Sequence, residues 1–167
     1  MVIPPFLGPA PSLITGGCGS KRAGSPRRFR LLSYMSDALV QSYGSSLDEA
    51  FENAAEALTS VMVDLRRVSA RGVTRKVTVV GFDEESLLYN WLEAVLVKKD
   101  IDREIFRTFT VRITKAGRSL ELEGELHGEK IDPARHIFKR DVKAVTYHEM
   151  SVRKLGGRYV LRFLLDL

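Results

Sequence analysis

Few side chains in the sequence are equipped for chemistry of their own. Three histidines, His127, His136 and His148, and one cysteine, Cys18, cannot assemble a structural zinc site of the usual ligand pattern. Gly156-Gly157 lacks the lysine and the Ser/Thr that a phosphate-cradling loop requires, and no serine sits in a nucleophile elbow. Aromatic-rich RNA-binding signatures of the RRM type are missing too. The run DVKAVTYH at 141–148 offers more. Lys143 is a compact cation able to reach a phosphate or an acidic surface, and His148, like His136, belongs to the residue type that titrates near neutrality. Read as a strand, the run puts Asp141, Lys143 and Val145 on one face and sends His148 off the other face or the strand end. No catalytic constellation emerges, and the residues point to a protein without an active site.

The elements that would hold these residues are legible from periodicity. Phe29–Leu32 and Ala38–Tyr43 read as short strands around a polar turn at Ser36-Asp37. Ser46 with Glu49 has the form of a capping box, and Leu47, Phe51, Ala54, Leu58, Val61, Met62 and Leu65 follow at helical spacing for about five turns. Arg66–Arg71 is a polar exit. Val73–Gly81 alternates as a strand. Asp83 is an N-cap for a second helix with Leu87, Leu88, Trp91, Leu92, Val95 and Leu96 on its apolar stripe. Phe51 and Trp91 are core residues by this spacing. The remainder is β: Phe106–Lys115 and Arg118–His127 around Ala116-Gly117, then Asp141–His148, Glu149–Leu155 and Arg158–Asp166, the last two joined at Gly156-Gly157. Asp132-Pro133 starts a turn in which Arg135 is an ordering residue without an assigned partner. Two helices and about seven largely antiparallel or mixed strands give an α+β, two-layer domain. No repeat is visible.

The formal charge of +5 suggests nucleic acid until it is partitioned. Residues 1–28 hold Lys21, Arg22, Arg27 and Arg28, no acid, five of the six prolines and Cys18. Removing those four from 26 basic residues leaves 22 against 21 acids, so 29–167 carries about +1. Such Pro/Gly-rich sequence cannot offset its ordering entropy by burial, and 1–28 reads as a disordered extension. Three roles stay open for it: a dispensable or artefactual upstream segment, a tail touching RNA, or a targeting peptide. A lone cysteine fits a reducing cytosol, so a cytoplasmic location is expected. No run of about 18 apolar residues occurs, so no membrane span is expected.

Five blocks in order carry a resemblance: YGSSLDEAFENAAEAL at 43–58, ESLLYNWLEAVL at 85–96, IDPARH at 131–136, DVKAVTYHEMSV at 141–152 and LLDL at 164–167. Over 29–167 the sequence is similar to the archease family, small partners of the RNA ligase that splices tRNA. The resemblance implies a non-enzymatic activator that promotes guanylation and multiple turnover of the ligase and broadens its nucleotide use. tRNA is then met only through the ligase. It also implies a divalent cation, Ca²⁺ first with Mg²⁺ or Mn²⁺ as alternatives, bound by Asp37, Asp166 and the α-carboxylate of Leu167. Three hard anionic oxygens brought together repel one another, and an oxygen-seeking cation relieves this. Lys143, His148 and Asp141 are the candidates for partner contact or activation. The sequence departs from the family where a His-Thr-Ala-Asp segment is expected, reading Tyr34-Met35-Ser36-Asp37, and a phenol cannot supply an imidazole nitrogen. The competing expectation is a direct RNA-binding or metal-dependent RNA-processing protein, motivated by the charge and the Asp37/Asp166 pair. A generic chaperone or adaptor for RNA-modifying enzymes is a third.

Overall fold

The computed structural model describes residues 26–33 and 36–167; of the extension expected over 1–28, residues 1–25 with Cys18 lie outside the described residues, as do Tyr34 and Met35. In chain order come β1 (Phe29–Ser33), β2 (Asp37–Gly44), α1 (Leu47–Met62), a 3-10 turn (Leu65–Arg67), β3 (Val73–Gly81), α2 (Glu84–Ile101), β4 (Glu104–Ala116), β5 (Ser119–Lys130), β6 (Ala144–Leu155) and β7 (Arg158–Asp166). The α+β class holds, with the strands divided into two antiparallel sheets, ordered β1-β2-β7-β6 and β3-β5-β4. Arg28, counted with the extension in the sequence, is already part of the domain. Its guanidinium reaches Asn53 at 2.8 Å and Glu56 at 2.6 Å on α1, and its carbonyl accepts from the Tyr43 N–H.

Each helix is launched from one sheet by the same local device. β2 ends at Gly44 and α1 is capped by Ser46; β3 ends at Gly81 and α2 is capped by Asp83. A Cβ on Gly44 would lie 2.3 Å from the Ala50 nitrogen, and one on Gly81 2.4 Å from the Leu87 nitrogen, so only glycine lets the strand end pass this close to the first helical turn. The repeat is local and structural, which is why overall sequence self-similarity does not reveal it. The α2 cap is a full capping box between Asp83 and Ser86. The α1 cap is half of one. Ser46 accepts from the Glu49 N–H, but the Glu49 carboxylate turns to the N–H and hydroxyl of Ser45 instead of the Ser46 N–H.

Each helix then closes the free edge of the opposite sheet. From α1, Glu52 accepts from the Val111 N–H at 2.9 Å and Asp48 from the Ile113 N–H at 3.1 Å, both on β4. From α2, Glu93 accepts from the Val145 N–H at 3.1 Å and Glu85 from the Val152 N–H at 3.4 Å, both on β6. Strand N–H groups with no neighbouring strand thereby keep a partner. Burial pushes the Glu52 carboxyl above its ordinary pKa, opposed by its bond to Val111.

The core lies between helices and sheets. Phe51 and Trp91 are fully buried as expected, with Leu58, Phe106, Leu126 and Phe163. Trp91 donates its indole N–H to the Phe51 carbonyl at 3.1 Å and meets Phe109 edge-on at 6.2 Å between centroids. Several boundaries shift from the sequence reading. α1 stops at Met62, and Leu65 falls in the 3-10 turn instead of a fifth helical turn. The β4–β5 turn residues are Gly117-Arg118, one position later than expected. The two strands expected over 141–148 and 149–155 are one, β6, which starts only at Ala144.

The shared glycine device yields a direct test. Gly81→Ala is expected to destabilise the domain by roughly 1–3 kcal/mol, because the new methyl meets backbone that cannot swing aside. Urea denaturation followed by circular dichroism measures this.

Candidate functional site

Antiparallel pairing of β2 with β7 places Asp37 directly opposite Asp166. The alternation of β7 explains the side: Leu161, Phe163 and Leu165 are fully buried toward the helices, so Arg162, Leu164 and Asp166 point to the outer face. Opposed residues share a face, and two carboxylates there sit at cross-strand distance, where like charges destabilise the pair. Leu167 follows immediately. Lys143 closes the corner: its backbone N–H donates to the Asp166 carbonyl at 2.9 Å, and its Nζ donates to the Leu167 oxygen at 2.9 Å. On the same face Thr146, paired with Leu164, holds a buried hydroxyl oxygen with no hydrogen-bond partner.

The structure thus brings Asp37, Asp166, Leu167 and Lys143 together. It takes Asp141 and His148 elsewhere. Asp141 precedes β6, so the expected alternation of Asp141, Lys143 and Val145 on one strand face does not apply. Its carboxylate binds Lys99 at the end of α2 at 2.6 Å, and that hydrogen bond holds its pKa below the usual range. His148 lies exposed in an irregularity of β6. Thr146 pairs with Leu164 and Ser151 with Arg162, so four residues of β6 face one of β7. Glu149 takes the extra turn with φ 61°, in the left-handed region, and is held by Arg162 at 2.6 Å. Tyr147 in the same stretch stacks on Tyr89 of α2 with centroids 4.3 Å apart.

The donors at the corner are all hard oxygens, which suits Ca²⁺, Mg²⁺ or Mn²⁺ and not a thiophilic metal. Among the described residues no three His, Cys, Asp or Glu side chains converge on one point. The remaining oxygen at the corner, on Leu167, already accepts from the Lys143 ammonium, a positive charge that would compete with a cation there.

A second constellation escaped the sequence reading. Glu129 near the end of β5 is buried, and its carboxylate accepts from the Ser69 N–H at 2.6 Å, from His136 Nε2 at 2.9 Å and from the Arg135 guanidinium. Burial opposes its charge, yet the Ser69, His136 and Arg135 bonds hold its pKa down to about 2. His136 Nδ1 accepts from the Asp132 N–H at 3.0 Å, which assigns the proton to Nε2, facing Glu129. His136 is a structural residue by this geometry, and Arg135 has the partner the sequence could not name. Arg135 and His136 lie six and seven residues from Glu129 and Ser69 lies sixty away, so no local pattern announces the cluster.

The model of the Archease protein family matches residues 29–167. The chain belongs to the archease family. It is 42% identical to the protein archease of Pyrococcus abyssi over 84% of this chain and 99% of that one, and 40% identical to the protein archease of Sulfurisphaera tokodaii over the same shares. Among solved structures, protein 1598 of Methanobacterium thermoautotrophicum matches with a TM-score of 0.74 at 37% identity, covering 84% of this chain and 99% of that one. An archease of Thermotoga maritima, described as a possible chaperone, shares the fold at a TM-score of 0.54 and 15% identity over 81% of this chain and 94% of that one. Among the described residues no helix of this archease is long and apolar enough to cross a membrane.

The Glu129 cluster sets a pH dependence. Its folded pKa lies below the unfolded value, so its contribution is complete above about pH 4.5 and is lost as pH falls toward 2; fully developed it is on the order of 3 kcal/mol. Glu129→Gln is expected to lower stability at pH 7 and to flatten the acid limb of a stability profile measured by urea unfolding between pH 7 and 3.

Proposed function

We propose that this archease activates a tRNA-splicing RNA ligase, a protein partner whose guanylation and turnover it promotes, and that it performs no bond chemistry itself. On this reading it also broadens the ligase's nucleotide use, is brought to tRNA by the ligase, and works in the cytoplasm. Family membership supports a helper role, in line with the description of the Thermotoga maritima relative as a possible chaperone. The single observation carrying the local part is the register that sets Asp37 against Asp166 with Lys143 at Leu167. Asp37, Asp166 and the α-carboxylate of Leu167 hold a divalent cation there, Ca²⁺ in preference to Mg²⁺ or Mn²⁺. Bound, the cation neutralises the opposed carboxylates and fixes the last residues of β7 against the start of β2. Lys143 keeps Leu167 in place and offers a positive charge at the rim. Asp141 orients the segment leading to Lys143 through Lys99, and exposed His148 stands on the β6 irregularity as a partner contact.

The function is tested by ligase guanylation and multiple-turnover ligation with and without the chain; no acceleration overturns the activator reading. The cation is tested separately by calorimetric Ca²⁺ titration. Asp166→Ala is expected to weaken binding about tenfold or more, which corresponds to at least 1.4 kcal/mol, and to lower activation while the circular dichroism spectrum is unchanged. Deleting Leu167 is expected to do nearly the same, since the α-carboxylate moves back by one residue. Normal binding by both variants disproves the cation site.

A further inference from the structure

Beyond the corner, the protein concentrates positive charge at one place. Arg66, Arg67, Arg71, Arg107 and Arg135 line a single open groove with Ser69, and no acid joins the lining. The arginines come from three distant parts of the chain: the exit of α1, strand β4 and the turn after β5. Each is positioned by something identifiable. Arg66 is held by Asp64, which also caps the 3-10 turn. The Ser69 and Arg135 segments are pinned from both sides by the buried Glu129 carboxylate.

Arg107 owes its place to a break in the ladder. Phe106 pairs with Gly128 and Thr108 with His127, so Arg107 is an extra residue with no opposite number. Both Arg107 and Thr108 are consequently exposed, where strict alternation would have buried one of them. The guanidinium turns to the Val68 carbonyl at 3.2 Å, at the floor of the groove. Arg66 and Arg135 are paired with Asp64 and Glu129, and Arg107 lies within electrostatic reach of Glu56, whereas exposed Arg67 and Arg71 have no ion-pair partner among the described residues. Gathering five guanidinium groups in one groove with fewer carboxylates costs self-repulsion, which an anionic ligand offsets.

We infer that this groove binds the phosphate backbone of RNA, independently of any contact with the ligase. Planar guanidinium forks match phosphate oxygens bidentately. A docked acidic protein face would look for an apolar anchor at its centre, and the only large aliphatic side chain in the lining, Val68, is buried. A repeating polyanion needs no such anchor. The near-neutral total of the domain conceals this site, because attraction to phosphates follows the local distribution of charge and not its sum.

The test uses the full chain and a fluorescently labelled single-stranded RNA oligonucleotide, with binding followed by anisotropy across a salt series and no ligase present. The comparison is Arg67→Ala combined with Arg71→Ala, both exposed and free of structural partners, with Arg107→Ala as a second variant. The full chain is expected to bind with log-log salt dependence, and the double variant to lose about 1.4 from the slope, at about 0.7 per phosphate contact on a single strand. Unchanged slope and affinity in both variants, which would place binding outside the groove, overturns the inference. So does absence of RNA binding at low salt. Competition by polyglutamate as effective as unlabelled RNA of equal charge overturns it as well, in favour of an acidic protein. Activation of the ligase is measured in a different assay, so failure here leaves that reading standing.

Discussion

Four helix carboxylates hold the two halves of this fold in one piece. Every strand N–H at the margin of a sheet needs an acceptor, and at β4 and β6 the acceptors are Asp48, Glu52, Glu85 and Glu93. Because α1 starts from the sheet containing β2 and closes the sheet containing β4, it cannot shift without breaking contacts to both. α2 makes the reciprocal link, from the β3 sheet to β6. The glycine at each launching strand seats the helix tightly on its own sheet, while the carboxylates on the helix reach the edge strand of the other. Carboxylates are costly to bury, as the raised pKa of Glu52 shows, and the backbone donors are what make that burial tolerable.

Both surface features follow from this frame. The corner at Asp37 and Asp166 exists because β7 occupies an inner position between β2 and β6, so that the end of the chain is clamped on two sides. The arginine groove exists because α1 stops at Met62 and the chain then crosses toward β3 past the end of β5. There Glu129 ties that crossing to the turn bearing Arg135. Lys139 links the two regions: it donates through its backbone to the Met62 carbonyl and through Nζ to the Ser60 carbonyl, capping α1 on the path from Arg135 to Lys143.

The helices, the Asp83 cap, the Gly156-Gly157 turn and the buried Trp91 and Phe51 were legible in the sequence because each rests on local spacing or on the conformational habits of one residue. The irregular parts were not. Alternation assigned Asp141 and Lys143 to a strand face, but Val142 and Val145 are both buried, a spacing of three that a strand does not have. Glu149 adopts a left-handed conformation that nothing in its residue type advertises. Of the six expected site residues, four meet at one corner because strand register put them there. Asp141 and His148, read with Lys143 from one block of sequence as partner-contact candidates, lie outside that corner, Asp141 on Lys99 and His148 exposed on β6. The Glu129 cluster and the arginine groove are assembled from segments tens of residues apart, and only tertiary structure brings them together.

Trp91 has a consequence for how the molecule can be observed. It is the only tryptophan in the chain, rooted on α2, bonded to the α1 backbone and set edge-on against Phe109 of β4. Its emission therefore arises from the one interior point where both helices and the second sheet meet, shielded from water and remote in the chain from both the acidic corner and the arginines. The protein carries a built-in optical reporter of whether the two helices stay packed on the β3-β5-β4 sheet, because separating them would expose the indole to water.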